Sequence, residues 1–193
     1  MNQPQLMRLT SIGLVSILLL GTLSKGAGGQ TSIDQATLRN SLLSKHNTYR
    51  NAHRSSAMTL NDSLNSTAQS WAKQIARTGV LAHSSSRQRN GAGENLYVFY
   101  TTAGSIATDT LANSAIKTWY DEVAKYNYTN PGFATTTGHF TQVVWKSSTQ
   151  LGCSAAQGTK TLQGKQHQAF YVVCHYAPAG NVTGQFPANV LKP

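Results

Sequence analysis

The sequence predicts an α+β fold, with helices laid on a small antiparallel sheet. Two observations carry the prediction. Apolar residues recur at helical spacing early in the chain, and short β-branched or aromatic runs replace them towards the end. At 193 residues the chain holds one well-packed domain and is short for two.

Ser32 and Gln35 form a capping-box pattern that opens a first helix. Leu38, Leu42, His46, Tyr49 and His53 then follow as one apolar stripe. A second helix starts near Asp62, carries Leu64, Ala68, Trp71, Ala72 and Ile75, and stops at Gly79. The stretch from Thr78 to Gly93 is polar and small. A third helix is expected over 105–125, with Leu111, Ala115, Trp119 and Glu122 in line. Asn130-Pro131-Gly132 and its neighbours make 126–138 a loop. Val143-Val144-Trp145 has a strand-like texture, and Ala169 to Tyr176 (AFYVVCHY) reads as a strand covered on both faces. The polar stretch 158–168 between them reads as a hairpin loop.

The N-terminus stands apart. Arg8, the apolar run Ile12 to Leu20 and the small residues that follow describe a secretory signal peptide over residues 1–28. The run is short for a bilayer crossing of about 20 apolar residues. Losing Arg8 and Lys25 with the leader takes two from a net charge of +10. Such a charge favours anionic lipid or acidic cell-surface polymers through long-range attraction. Dispersed cations also simply keep a secreted protein soluble. Without a dense basic run or an interleaved basic-aromatic platform, nucleic acid is not an expected partner. In an exported chain Cys153 and Cys174 form one disulfide, worth roughly 3 kcal/mol in the chain-entropy model. Asn61, Asn65, Asn127 and Asn181 each open an N-glycosylation sequon.

Glu94 and Glu122 are the only glutamates, and both stand among apolar neighbours. A carboxylate in line with Trp119 and Ala115 is costly to desolvate unless something pairs with it. Histidine is the natural partner, and His83 and His139 are the candidates. The same residues read equally well as buried Glu–His pairs that only fix the fold. There is no local His-Glu-x-x-His motif, so a zinc site would need the fold to assemble it. His46 reads as a packing or capping histidine. No Gly-x-Ser-x-Gly elbow is present. Tyr126, Tyr128 and Phe133 lie in the 126–138 loop, where aromatics either pin the loop to the core or form an exposed apolar patch.

Four stretches in order, His46-Asn47-Thr48-Tyr49-Arg50, Gly93 to Tyr97 (GENLY), Gly138 to Trp145 (GHFTQVVW) and Tyr171 to Asn181 (YVVCHYAPAGN), closely resemble the CAP superfamily. That superfamily comprises cysteine-rich secretory proteins, antigen 5 and pathogenesis-related class 1 proteins. The resemblance runs from Asp34 to Pro187, within a domain placed at 32–190. It implies an α-β-α sandwich with a three-stranded antiparallel sheet between helical layers. It also implies a cleft lined by His83, Glu94, Glu122 and His139, in which the two histidines bind a divalent metal, most often zinc. Asn47 and Arg50 look structural by the same comparison. Some members bind sterols or fatty acids, and sterol binding goes with an aromatic loop whose spacing Tyr126, Tyr128 and Phe133 match. Two features depart from the family. There are only two cysteines, and His175 stands where asparagine is usual.

Together these readings favour a secreted, non-enzymatic protein that binds sterols or other lipids in defence or host interaction. The alternative is a metal-dependent hydrolase, a peptidase for example, with Glu94 or Glu122 as base.

Overall fold

The computed structural model describes residues 33–193. The expected leader over 1–28 and the Ser32 cap lie outside the described residues.

Helix α1 spans Gln35–Ala52, and its N-cap is Asp34. The Asp34 carboxylate accepts from Ala36 N at 2.9 Å and Thr37 N at 3.3 Å, so Gln35 is not needed in a capping box. Gln35 turns instead to a sheet edge, where its amide donates to Ala155 O and accepts from Ala155 N. A two-residue strand β1, Thr59–Leu60, precedes helix α2, Asp62–Thr78. Asn61 caps the start of α2, and Gly79, in the left-handed region at φ 66°, ends it. Strand β2 is Gly93–Thr101 and helix α3 is Thr108–Asp121. The helix expected over 105–125 thus starts later and tightens into a 3₁₀ turn at Glu122–Lys125.

Helix α4, Gly138–Val144, takes the residues whose texture suggested a strand. Phe140, Val143 and Val144 are all fully buried, and packing on every side outweighs β propensity there. Strands β3, Gln150–Leu162, and β4, Lys165–Ala177, follow, and a short α5, Phe186–Asn189, closes the chain. The loop expected over 158–168 shrinks to a two-residue turn. Gln163 (φ 50°) and Gly164 (φ 76°) make the hairpin connection that matches strand twist, so polar residues continue the ladder on both sides.

The sheet order is β1-β3-β4-β2. β2, β4 and β3 form the antiparallel trio that the resemblance implies. The expectation of three strands is corrected by β1, whose two residues pair parallel to Gln150 and Leu151. Two residues carry no periodicity, so no sequence pattern announces them.

Helices cover both faces. Ala169, Tyr171 and Val173 of β4 pack with Ala68, Ala72 and Ile75 of α2. The alternate residues Phe170, Val172, Cys174 and Tyr176 meet α1, α3 and α4 on the other face. α2 comes so close that a side chain at Gly152 would collide with the Leu64–Asn65 backbone. The expected disulfide joins Cys153 and Cys174, which face each other across β3 and β4.

His46 sits fully buried between α1 and the sheet. Its Nδ1–H donates to Leu42 O (2.8 Å), and its Nε2 accepts from the Tyr176 hydroxyl (2.9 Å). Burial pulls this imidazole down to about 4, against an opposing bond from Leu42. Between its ordinary pKa of 6.5 and 4, the unfolded chain therefore takes a proton that the fold refuses. Stability is complete above that window and falls with pH inside it, by about 3 kcal/mol for this one group. Urea unfolding at neutral pH and near the bottom of the window should show the loss. The difference between the two pH values should shrink in His46→Gln, whatever that variant's stability at neutral pH.

Candidate functional site

The chain between α2 and β2 lays His83 and Ser84 beside the start of β2. Glu94 lies there, opposite His175 of β4 in the strand register. The Glu94 side chain is 1 % exposed yet collects four donors. Its Oε1 accepts from His83 Nδ1 at 2.7 Å and Ser84 N at 2.9 Å. Its Oε2 accepts from the Ser84 hydroxyl at 2.7 Å and His175 Nε2 at 3.0 Å. Burial alone would raise this carboxyl. The bonds from His175, His83 and Ser84 reverse that and hold it well below the usual carboxylate range. A carboxylate only accepts, so His83 carries its proton on Nδ1 and leaves Nε2 free.

Glu122 builds the matching half. Its Oε1 meets His139 Nδ1 at 2.7 Å. Its Oε2 accepts the backbone N–H groups of His139 (2.9 Å) and Phe140 (3.1 Å), so it also satisfies the first turn of α4. The Trp119 ring stacks beside His139, and Asn95 donates to the His139 carbonyl. The two halves face one cleft of about 480 Å³, lined by His83, Glu94 and His139 together with Phe133, Asn181 and Arg89. Glu122 stands behind His139 and does not line it.

Three of the four expected side chains therefore share the cleft, and the fourth braces it. Each histidine is oriented through Nδ1 by its own carboxylate. Outer carboxylates orient metal-binding histidines in the same way. Among the described residues, no group of three or more His, Cys, Asp or Glu side chains could hold a metal ion by itself.

The aromatic loop separates its members. Tyr126 is 8 % exposed, packs in the main core and meets Phe140. Tyr128 lies edge-on to Tyr126, while Phe133 is 59 % exposed at the cleft. The sequons differ as much. The Asn65 amide is buried and donates to Asp62, Asn181 donates to Gly138 O, and Asn61 donates to Gln150. Only Asn127 is fully at the surface, and its carbonyl is taken up by Thr129 and Asn130.

Sequence reasoning missed His175. It is fully buried and ties Glu94 to Thr67 of α2, 2.8 Å from its Nδ1. The signal was there: His175 is in phase with Tyr171 and Val173 on the strand, and so lies on the α2 face with Glu94. Ser84 was missed because only the turn of the chain brings it to Glu94.

Residues 43–176 match the model of the Cysteine-rich secretory protein family, CAP. Protein PRY2 of Saccharomyces cerevisiae is 38% identical over 152 residues, covering 78% of this chain and 40% of PRY2. The human Golgi-associated plant pathogenesis-related protein 1 is 37% identical over 160 residues, covering 80% of this chain and 92% of its own. Secreted protein RBT4 of Candida albicans is 33% identical over 182 residues, covering 88% of this chain and 45% of its own. The chain thus spans less than half of the two fungal relatives and nearly all of the human one. Among solved structures, NaASP2 with Zn2+ superposes at a TM-score of 0.63 with 24% identity, over 86% of this chain and 91% of that one. This chain belongs to the CAP family.

Proposed function

We propose that this chain is a secreted binding protein that acts in defence or host interaction. In this reading it holds a divalent cation between His83 and His139 and takes a sterol or other lipid beside Phe133. One observation carries it: two histidines in one cleft, each locked through Nδ1 by a carboxylate, keep both Nε2 atoms available. Two neutral imidazoles suit zinc, with water or a ligand oxygen completing the set. A relative named Secreted protein RBT4 and one named Salivary antigen-5 support export. Among the described residues no helix is long and apolar enough to cross a membrane.

Titration calorimetry with zinc should show saturable binding that is lost in a His83→Ala/His139→Ala variant. If wild-type protein takes up no zinc, the metal half of the reading fails. For the lipid half, Phe133→Ala should weaken sterol or fatty-acid uptake about tenfold or more, since covering that ring is worth about 1.5–3 kcal/mol. Its melting temperature should hold. Tyr126→Ala should do the reverse and destabilise the fold by about 3 kcal/mol, because Tyr126 belongs to the core. No saturable uptake of sterol or fatty acid by wild type would end the lipid half.

In a host that glycosylates its secreted proteins, glycopeptide mass spectrometry should find occupancy concentrated at Asn127. A glycan on Asn65 would have to displace a buried amide from Asp62, so abundant occupancy there would contradict this geometry.

A metal-dependent hydrolase remains the competing reading. It asks Glu94 or Glu122 to accept a proton from water. Glu94 is held ionised by four donors and Glu122 oxygens already meet three, which makes both poor bases. Peptide turnover abolished by Glu122→Gln, with zinc still bound, would restore the hydrolase.

A further inference from the structure

We propose that the surface formed by the C-terminal half of α2, the chain that follows it and the β3–β4 hairpin docks onto anionic lipid bilayers. The inference is independent of the zinc and sterol readings, because it uses none of the cleft residues.

The six acidic residues are Asp34, Asp62, Glu94, Asp109, Asp121 and Glu122. Two long segments, 63–93 and 123–193, therefore contain no acid, and the fold brings parts of them together. The Ala76 backbone lies against Gly158, and Lys160 Nζ donates to Gly79 O at 3.0 Å. Gln74 and Gln88 line one small cavity, so the turn bearing Arg87 lies beside α2. Lys160 and Lys165 are in phase with Ala156, Ala169 and Tyr171, which face α2, so both cations stand on the α2 side of the sheet. Lys73 and Arg77 are exposed one helical turn apart.

Cations that look dispersed along the sequence are thus gathered on one side. None of these five takes part in an ion pair among the described residues. The acid nearest in sequence, Glu94, is sealed beneath its four donors.

Within this basic surface stand two of the four large apolar side chains exposed among the described residues, Val80 at 59% and Leu81 at 44%. They follow the Gly79 cap directly. Trp71 Nε1 donates to Ala82 O at 2.9 Å and pins the chain just beyond them to α2. Nothing folds them inward. A pair of aliphatic side chains that follows directly on Gly79, where Lys160 is bonded, and lies on the same side as the other four cations matches the layering of an anionic bilayer, with phosphates outside and acyl chains beneath. An acidic polysaccharide would use the charges and have no use for Val80 and Leu81.

The test is co-sedimentation of the purified protein with phosphatidylcholine vesicles, with and without phosphatidylserine, and with immobilised heparin as the acidic polymer. Binding should depend on phosphatidylserine and weaken with added salt. At roughly fivefold per cation, Lys73→Gln/Arg77→Gln should reduce the phosphatidylserine-dependent binding about thirtyfold. Val80→Ser/Leu81→Ser should reduce it about tenfold or more and leave heparin binding unchanged. The control Lys125→Gln/Lys146→Gln, outside this surface, should have little effect. Equal binding to both vesicle types overturns the proposal. So does vesicle binding that ignores Val80 and Leu81, which would mark the surface as a polymer site. All of these side chains are exposed or half-buried, so the variants should fold, as a circular dichroism melt would verify.

Discussion

Arg50→Met should leave a protein with no cooperative unfolding transition, or one weakened by at least about 5 kcal/mol. Arg50 is fully buried at the end of α1 and donates to five backbone carbonyls. Those of Ser56 (2.9 Å), Val143 (3.1 Å), Trp145 (2.8 Å), Lys146 (3.4 Å) and Ser148 (2.7 Å) all converge on one guanidinium. Each orphaned carbonyl costs about 1–3 kcal/mol, so the losses approach the whole stability of an ordinary domain, about 5–15 kcal/mol. Lysine should rescue little, because a single ammonium cannot reach carbonyls spread around a planar fork. The effect reaches the cleft, since α4 carries His139 at its start and gives up its last carbonyls to Arg50. Urea denaturation is the measurement, and an Arg50→Met midpoint close to wild type would refute this account of the α1–α4 junction.

His175→Leu should cost about 3–5 kcal/mol and, under the proposed zinc reading of the cleft, weaken metal binding about 10–100-fold. The substitution removes one of the four donors to Glu94 and the link to Thr67, so a buried carboxylate is left short of partners. Because the folded Glu94 carboxyl lies below its ordinary 4.5, it stabilises the fold above that value, and the contribution is lost as pH falls below it. Without His175 the depression lessens, and the acid-dependent loss of stability should shrink. His175→Asn should recover part of the stability, since an amide still offers a donor to Glu94. The comparison separates packing from positioning. A structural role alone moves the midpoint, whereas positioning through Glu94 also moves zinc affinity and the acid limb. Unchanged zinc affinity in a folded His175→Leu protein would show that His83 needs no such brace.

Much of this site was legible beforehand because its chemistry is scarce. With two glutamates in the chain, each placed among apolar neighbours, a buried polar centre was nearly unavoidable, and His83 and His139 were the natural partners. Glu122 was read as a histidine's partner that also lines the cleft; its carboxylate does meet His139, but it stands behind that histidine, and the helix tightens beneath it. The helix α2 was clear from its cap, stripe and terminal glycine. Val143 and Val144 misled because burial on all sides admits a helix as readily as a strand. Tyr126, Tyr128 and Phe133 share a spacing but not an environment, and spacing in a loop carries no information about which ring turns inward.

By itself the sequence determined the mixed helix-and-strand class, helices α1 to α3, the single disulfide, the overall basic charge and the short set of residues able to carry chemistry. Only the tertiary structure decided that β1 joins the sheet, that His175 completes the bonds around Glu94, that Phe133 alone of the three loop aromatics lines the cleft, and that five scattered cations share a surface with Val80 and Leu81. The reason is physical: periodicity and composition act between neighbours along the chain. Cross-strand register and the packing of α2 on the sheet set distances between residues that the chain keeps far apart.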